Sequence, residues 1–577
     1  MDDRGYWTRR RITRRVALRS AGFGAAGLAG AALFGCGGDD EEQAPAAPAT
    51  TAQPAGTAAA GGTAAAVAPG ARPSASSGHV DIAQSSLDTQ PGDPHLGTSG
   101  IQEPIRYATN TSLFTLTVEG ERVIAVADSI EAAEDFLSYV VKVREGLTFT
   151  NGDPITGEDV KFSMDRVAAM GSGKASWTRK FSSHELIDPM TVKVVQTQVE
   201  PTAFLSVRGL YTVPKNYTEG LNDGPWAETK FGEAPIGVGP YRLTENRIGV
   251  LETFEAHDGY LLGAPFVKTI TVHVVPELTT KIAQLQTGEV DIVQGLLADQ
   301  MDQVTSISGG KIVSSFGAGS SELTYFDIMK PDSPFNDVRV RKALAHAVNR
   351  QEIIDTLYRG QAILQNSLHV KFPATTGYDE VLAKNEPFPY DPQTAKQLLD
   401  AAGYGAGFQT QITTYDTSTS PGTPQMMEAV SNYLSQVGVI SPVRFMEAGQ
   451  YVGQFREKTL TGMGPISFGG LADDFAVVYE THFLGNTGPE AAAPFSYDDW
   501  QEGDDLWRAI TKETDVEKRE QMSKDLLRML SRDRVPNLTL VAPHALLGLG
   551  PRVADFPRPP AQPYLSHLEH IRLEDGA

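Results

Sequence analysis

A stretch of small and polar residues near the start of the chain limits where a folded core can begin. Residues 43–78 are nearly all Ala, Pro, Thr, Gly, Gln and Ser, with Val67 as the one large aliphatic residue and Arg72 as the one charge. Such a segment cannot bury enough apolar surface to offset the entropy that ordering would cost. The sequence therefore predicts a disordered tether over residues 36–78 and a folded part that begins near His79.

Residues 1–35 have the pattern of an export signal, in which arginines precede a short Gly- and Ala-rich apolar stretch. The stretch ends at Cys36, the single cysteine of the chain. This ending resembles a bacterial lipobox and implies cleavage before Cys36 and a lipid on its sulfur; an unmodified cysteine after cleavage elsewhere is the alternative. Residues 13–19 resemble a twin-arginine signal, with the Sec route as the alternative. We expect the mature chain at the extracytoplasmic face of the cell membrane, in the periplasm or at the cell surface, held by the lipid.

Length and charge bound the architecture and the partners. At 577 residues the chain exceeds a single hydrophobic core, which rarely grows beyond about 250–300 residues, so two or more lobes are expected. The net charge is −22, although residues 1–35 carry seven Arg and only two Asp. So acidic a chain is a poor partner for DNA, RNA or an anionic membrane surface. A small-molecule or peptide ligand remains compatible, because a binding site can have its own local charge.

Strand and helix patterns alternate from about residue 79 to residue 573. Alternating apolar residues predict strands at residues 139–143 and 270–274 and a hairpin over residues 241–254. Apolar stripes with caps or terminators predict helices over residues 336–348, 392–402, 424–437 and 516–531. Mixed strands and helices over this length predict an α/β fold.

The sequence contains none of the common catalytic, nucleotide-binding or metal-binding motifs. It therefore predicts a protein that is not an enzyme and needs no cofactor. His567 and His570 have i,i+3 spacing, which suits a weak metal site, but their place near the C-terminal end favours a solvated tail. We therefore predict no metal site.

Five sequence blocks occur in order along the chain. They lie at residues 127–163, 235–241, 285–292, 334–344 and 390–404. The third reads Leu-Gln-Thr-Gly-Glu-Val-Asp-Ile and the fourth Pro-Phe-Asn-Asp-Val-Arg-Val-Arg-Lys-Ala-Leu. Together the blocks resemble the signature of the family 5 solute-binding proteins of ABC importers, which includes oligopeptide, dipeptide and nickel binders. One departure is Val238, which stands where the family's Gly-Thr-Gly-Pro-Tyr turn has Thr.

The resemblance implies a two-lobe, periplasmic-binding-protein-like fold of class II, with an extra subdomain inserted in the first lobe. Lobe I is then expected at residues 79–100, 205–317 and 540–577. The inserted subdomain is expected at residues 101–204, and lobe II at residues 318–539. Glycines in residues 316–320 suit a hinge between the lobes, with a surface loop as the alternative.

The resemblance also indicates ligand-contacting residues. In peptide-binding relatives a carboxylate of lobe II pairs with the α-ammonium group of the ligand, and Asp473 aligns with it. A desolvated carboxylate that faces an ammonium ion makes a short, charge-assisted contact. Gly470 stands where relatives have Trp, and Ala476-Val477 where they have Asp-Pro, so a loop acid or a helix cap is the alternative for Asp473.

Other candidate contacts follow from position. Thr98 and Ser99 align near a lobe I segment that touches the ligand in relatives. Tyr325 and Phe326 follow the hinge, and their backbone is expected to pair with an extended peptide by strand addition. Tyr325 and Phe468 would stack on a sugar. Simple packing is the alternative for each of these residues.

We therefore expect a monomeric, substrate-binding lipoprotein of an ABC importer. It would capture a small solute, an oligopeptide in the first instance, between its lobes and deliver it to a permease with ATPase subunits. A secreted, lipid-anchored hydrolase is one alternative. A sensory binding protein with a sugar or a metal chelate as its ligand is another.

Overall fold

Long parts of the chain between Arg72 and Asp575 are described by the computed structural model. They comprise residues 72–73, 75–85, 92–96, 103–116, 122–170, 180–203, 210–227, 230–315, 321–328, 330–366, 376–415, 422–468, 474–488, 496, 498–557 and 565–575. All of them belong to one unit, Pro69–Ala577. Within these residues, none of the helices combines the length and the apolar character needed to cross a bilayer.

Strands occur throughout the described residues. In chain order they are β1 (Ser77–Gln84), β2 (Phe114–Leu116), β3 (Arg122–Ile124), β4 (Ala127–Ala132), β5 (Ser138–Val143), β6 (Phe181–Asp188), β7 (Thr191–Gln196), β8 (Tyr241–Arg247), β9 (Leu251–Ala256), β10 (Val267–Val274), β11 (Ile292–Gln294), β12 (Lys311–Ser315), β13 (Ser321–Phe326), β14 (Ala362–Leu364), β15 (Phe408–Gln409), β16 (Ile412–Thr414), β17 (Val439–Ile440), β18 (Val443–Phe445), β19 (Met463–Phe468), β20 (Asn537–Thr539), β21 (Val541–Pro543), β22 (Ala545–Leu549), β23 (Val553–Asp555) and β24 (Arg572–Leu573).

Helices alternate with these strands. In chain order they are α1 (Glu103–Thr109), α2 (Gly157–Met170), α3 (Lys215–Gly220), α4 (Leu278–Thr287), α5 (Met301–Thr305), α6 (Val338–Ala347), α7 (Arg350–Thr356), α8 (Glu380–Lys384), α9 (Pro392–Ala401), α10 (Thr423–Ser435), α11 (Ala448–Arg456), α12 (Phe475–His482), α13 (Gln501–Lys512) and α14 (Val516–Arg528). Short 3₁₀ turns include Pro334–Asn336 and Leu568–His570, and a π-helical turn, Met529–Arg534, follows α14.

The largest sheet has seven strands in the order β12-β22-β11-β1-β10-β9-β8. Its central strand β1 is parallel to β10 and to β11. Val80 and Ile82 of β1 pack in one apolar cluster, while Ala83 faces a second cluster with Leu285 of α4. The end of β1 is therefore buried on both faces, whereas His79 and Asp81 nearer its start alternate with Val80 and Ile82 and are only partly buried.

A second sheet has five strands in the order β18-β16-β19-β13-β20. Helices α6 and α10 supply Val340, Leu344 and Val430 to a large apolar cluster that includes Phe326 of β13. On the other side of the sheet, Leu323 of β13 packs with residues of α12, α13 and α14. The five-stranded sheet therefore has its own core, separate from the clusters of the seven-stranded sheet.

Residues 127–196 contain a third sheet, of four strands in the order β4-β5-β7-β6. Helix α2 starts at a cap in which Asp159 accepts hydrogen bonds from the backbone N–H and the hydroxyl of Thr156, at 2.9 and 2.8 Å. The turn at Gly237 and Gly239 packs next to this region, because Thr150 donates to the Gly237 carbonyl at 2.9 Å. A Cβ on Gly239 would lie 2.3 Å from the carbonyl oxygen of Ala108, which explains why this turn needs glycine.

The chain passes between the seven- and five-stranded sheets twice. One passage lies between β12 and β13, across residues 316–320, which are outside the described residues. The other runs from β20 through β21, which pairs with β14, into β22. Near these passages the Ser314 hydroxyl lies 2.8 Å from Gln361 Oε1 and 2.9 Å from His544 Nδ1. The lobe and hinge boundaries derived from the sequence stay predictions.

Several local predictions are confirmed. Strands β5 and β10, the β8–β9 hairpin and helices α6, α9, α10 and α14 lie where apolar periodicity placed them, within a few residues. The predicted end of the tether at residue 78 is wrong. Strand β1 begins at Ser77, and Arg72 Nη1 already donates to the Glu569 carbonyl at 2.7 Å. A single long side chain with a distant partner gives no local sequence signal.

Candidate functional site

The carboxyl ends of several strands meet at one edge of the seven-stranded sheet. Strands β10 and β11 run parallel to β1, and β22 runs antiparallel to both β11 and β12. Consequently β1, β10, β11 and β12 all end at this edge, and β22 begins there after its passage from the other sheet. We call it the cleft edge, because ligands of open α/β sheets bind outside the carboxyl ends of the strands.

The five-stranded sheet also has an edge that lies next to the passage between the two sheets. Strand β13 begins at Ser321, directly after the first passage, and Ser321 pairs with Phe468, the last residue of β19. Chain that leaves β19 therefore starts beside the passage between the sheets. Asp473 is five residues further on, and it lies outside the described residues, as do Thr98, Ser99 and Cys36. The side chain of Phe468 is also outside the described part, so its contacts stay a prediction.

The strand-addition role predicted for Tyr325 and Phe326 is wrong. Strand β13 pairs with β19 along its whole length and with β20 at residues 323–325, so it is an interior strand with no free edge at Tyr325. Both side chains are fully buried. Tyr325 packs edge-on against Phe455, with ring centroids 5.2 Å apart, and Phe326 belongs to the core under α6 and α10. Stacking of Tyr325 on a sugar is excluded by the same burial.

A buried ion pair fixes the chain just before the predicted contacts Thr98 and Ser99. The guanidinium of Arg166 pairs with the carboxylate of Asp93, and both side chains are completely buried. Arg166 Nη1 also lies 2.9 Å from His95 Nδ1, while His95 Nε2 donates to the Tyr211 carbonyl at 2.8 Å. Because each charged group has a partner, residues 92–96 are held against α2 and the loop that follows starts from a fixed position.

Asp474, the residue after Asp473, has a fixed position next to the five-stranded sheet. Asp474 is the N-cap of α12 and accepts a hydrogen bond from the Ala476 N–H at 2.8 Å. Its second carboxylate oxygen lies 4.0 Å from Nε of Arg519, and both side chains are buried. The cap role that the sequence left open for Asp473 is therefore filled by Asp474.

A buried lysine lies at the cleft edge. Lys281 of α4 is 1% exposed, and its ammonium donates to the Ser85 hydroxyl at 2.8 Å and to the Gln294 carbonyl at 2.7 Å. These two residues stand at the ends of β1 and β11. Burial lowers the pKa of Lys281 to about 8, and no carboxylate among the described residues pairs with it. The cleft edge thus carries a cation whose only described partners are neutral.

An ion pair joins the four-stranded sheet to the helices of the five-stranded sheet. Lys180, next to β6, contacts the carboxylates of Glu200 and of Glu480, the latter at 2.6 Å. Burial by itself would lower the pKa of Lys180, but the charges of the two glutamates outweigh it and raise that pKa. Glu480 lies on α12, six residues after Asp474. This contact therefore depends on the relative position of the four-stranded sheet and α12.

No local sequence pattern predicts the Lys180 contact, since its partner Glu480 is 300 residues away. Lys281 did leave a signal, because it shares the buried face of α4 with Ile282 and Leu285, and a lysine among apolar residues at helical spacing is unusual.

The solvated tail predicted for His567 and His570 is also wrong. Their side chains are only 11% and 16% exposed, and Glu569 between them is 4% exposed. Leu565, Leu568 and Ile571 are core residues of the seven-stranded sheet, so the segment is pulled inward by its apolar neighbours.

Comparison with known proteins gives a consistent result. Residues 121–484 match the model of the bacterial extracellular solute-binding proteins, family 5. The glutathione-binding protein GsiB of Escherichia coli K12 is 27% identical over 374 residues, which cover 63% of this chain and 69% of GsiB.

Solved structures share the fold. DppA from Helicobacter pylori, in complex with the peptide STSA, superposes with a TM-score of 0.72 and 20% identity, over 87% of this chain and 99% of DppA. NikA from Brucella suis, in complex with Fe(III)-EDTA, superposes with a TM-score of 0.74 and 20% identity, over 86% of this chain and 100% of NikA. The protein therefore has the two-lobe fold of periplasmic binding proteins. Its family is extracytoplasmic, binds small ligands or peptides and works with permease and ATPase subunits. The chain belongs to the family 5 solute-binding proteins of ABC importers.

Proposed function

We propose that this solute-binding protein captures an oligopeptide between its lobes and releases it, chemically unchanged, to its permease. A peptide has a cationic and an anionic end. The predicted partner for the cationic end is Asp473, whose neighbour Asp474 is fixed by its cap and by Arg519. Lys281 places a buried positive charge beneath the cleft edge, and its described partners are neutral. Opposite charges on the two sides of a cleft suit a zwitterionic ligand.

The observation that carries the capture mechanism is the contact between Lys180 and Glu480. It links α12, which follows the Asp473 segment, to the four-stranded sheet. A contact of this kind forms only when the two parts approach each other, so it adds to the stability of the closed form. Cargo that touches both sides at once shifts the population further toward closure.

The same proposal includes an anchor on Cys36 and a monomeric state. A lipid on Cys36 would hold the binding protein close to the membrane and raise its effective concentration near the permease. The mature chain, which lacks the seven Arg and two Asp of residues 1–35 and is therefore more acidic than the whole sequence at −22, would be kept off the anionic lipid surface.

Native mass spectrometry of the protein purified from its own host tests these points together. We expect a monomer that carries a lipid mass and one co-purified peptide. An unmodified Cys36, an oligomer, or cargo of another chemical class would contradict the corresponding part of the proposal. Cargo that emerges cleaved would support a hydrolase instead.

Calorimetry with the identified peptide then tests the role of Asp473. We expect Asp473→Asn to weaken binding more than tenfold, since removing one charge from a desolvated ion pair costs at least about 1.4 kcal/mol. Asp505→Asn is the matched control, because Asp505 is 59% exposed on α13 and its contacts among the described residues are with Gln501 and Arg508 of the same helix. Equal affinities of the Asp473→Asn variant and the control would remove Asp473 from the site.

A further inference from the structure

Three ligand-type side chains converge at the end of the seven-stranded sheet opposite the cleft edge. They belong to the turn at residues 567–570, next to Arg72 and Phe266, which precede β1 and β10. Since β1 spans eight residues at about 3.3 Å each, this turn lies roughly 25 Å from the cleft edge. We propose that His567, Glu569 and His570 form a binding site for a divalent transition-metal ion of the zinc type. The inference does not depend on the proposed cargo.

The distances between the ligand atoms suit one ion. His567 Nδ1 and Glu569 Oε1 are 3.3 Å apart, and His570 Nε2 and Glu569 Oε1 are 3.6 Å apart. All three atoms lie within 4.8 Å of one another. Zinc bound at about 2.0–2.2 Å in tetrahedral geometry separates neighbouring ligand atoms by roughly 3.3–3.6 Å. The two separations that involve Glu569 match the edges of such a tetrahedron.

The charge balance of the cluster calls for a cation. The Glu569 side chain is only 4% exposed, so its carboxylate is largely withdrawn from water. Among the described residues, only these two imidazoles lie within ion-pair distance of the Glu569 carboxylate. A buried carboxylate without a full positive partner is costly, and a divalent ion would supply that partner.

The types of the three residues suit a transition metal. Two histidines and one carboxylate, with a fourth position open, are an established ligand set for zinc.

The backbone holds the three side chains ready. His567 has φ 59° and ψ 42°, a left-handed conformation that is unusual for a residue with a side chain. The turn is kept in place because the Glu569 carbonyl accepts from Arg72 and, at 3.4 Å, from the Phe266 N–H, while Leu568 is buried in the core. Such conformations persist where the surrounding structure enforces them, and they are frequent at functional sites.

Arg72 is the group that would compete with a metal. Its Nη2 lies 3.4 Å from His570 Nε2, on the nitrogen that would bind the ion. The guanidinium also packs over the Phe266 ring, at 5.5 Å from its centroid, and Arg572 packs over the same ring at 4.8 Å. Removing Arg72 should free the nitrogen and reduce charge repulsion, while the Phe266 N–H and the buried Leu568 still hold the turn, so Arg72→Ala is expected to strengthen metal binding.

The test is calorimetric titration of the chelator-treated mature protein with Zn²⁺, with Co²⁺ as a spectroscopic probe of tetrahedral coordination. We expect one ion per chain and a Zn²⁺-dependent rise in melting temperature. His570→Gln and His567→Gln should each weaken binding at least tenfold. His346→Gln is the control, because the described side-chain contacts of His346, on α6, are with the Pro389 carbonyl and the Phe388 ring, far from residues 567–570 in the chain.

Melting of each variant without metal separates loss of ligation from loss of folding, and Arg72→Ala gives a change in the opposite direction. The Asp473→Asn variant should bind Zn²⁺ like the wild type, which separates this site from the cleft. Binding of Zn²⁺ no tighter to the wild type than to His570→Gln, or a Co²⁺ spectrum without tetrahedral features, would overturn the proposal.

Discussion

Replacing Glu480 by Gln tests whether the Lys180 contact stabilises the closed form. The change keeps the size of the side chain and a hydrogen-bond acceptor, and it leaves Lys180 paired with Glu200. It removes only the charge that reaches Lys180 from α12. Because Lys180 lies next to the four-stranded sheet and Glu480 on a helix that packs on the five-stranded sheet, the loss should act on the position of these two parts rather than on the folding of either one.

The magnitude follows from the exposure of the pair. Lys180 is 11% and Glu480 26% exposed at the side chain, so the contact is neither fully screened nor fully buried. Hydrogen bonds to charged groups contribute about 1.5–3 kcal/mol, and partial exposure favours the lower value. If the cargo-free protein is mainly open, a closed form destabilised by about 1.4 kcal/mol lowers the apparent affinity for cargo about tenfold.

Two measurements check this prediction. Calorimetry with the identified cargo should give an affinity about tenfold lower for Glu480→Gln, and small-angle scattering without cargo should show no smaller radius than the wild type. Glu428→Gln, an exposed change on α10, is the control for altered net charge. An affinity within twofold of that of the wild type would refute the reasoning. Scattering that shows a closed conformation both with and without cargo would refute it as well.

Two further predictions concern stability. Burial lowers the pKa of His482 to about 4, so the folded protein takes up a proton there only near pH 4, whereas the unfolded chain takes it up near pH 6.5. The free energy of unfolding should therefore fall as the pH drops from about 6.5 to about 4, by at most about 1.4 kcal/mol per pH unit. Denaturant titrations should show a shallower decline for His482→Gln. Gly239→Ala should lower the free energy of unfolding by about 1–3 kcal/mol, because the new Cβ would meet backbone atoms of residues 108–110. Gly220→Ala is the control at the end of α3, where a Cβ has nothing within 4 Å, and it should leave the thermal midpoint unchanged or slightly raised. Equal midpoints for the two variants would contradict this account.

Local structure was predictable because its causes are local. The Asp337 cap, which accepts from the Arg339 N–H at 2.8 Å, and the apolar stripe of α6 are both readable within one short stretch of sequence. The five blocks also led to the family and its two-lobe fold, and the block with Gly239 marks a close approach of two backbone segments.

The site was less predictable because its contacts are long-range. Tyr325 has the composition of a strand residue, but only the pairing of β13 on both sides reveals that the strand is interior. Lys180 and Glu480 meet only in the folded protein. The burial of His567 and His570 depends on apolar residues of distant strands. Asp473, Thr98 and Ser99 stay predictions.

The position of β22 has a consequence for biogenesis. This strand is taken from residues 545–549, yet it lies between β11 and β12, which are more than 200 residues earlier in the chain. A ribosome must therefore complete most of the polypeptide before the largest sheet can close, and until then the edges of β11 and β12 are open to chaperones or to aggregation. Stop codons that remove β22 should yield an insoluble product even though every residue of the five-stranded sheet is still encoded.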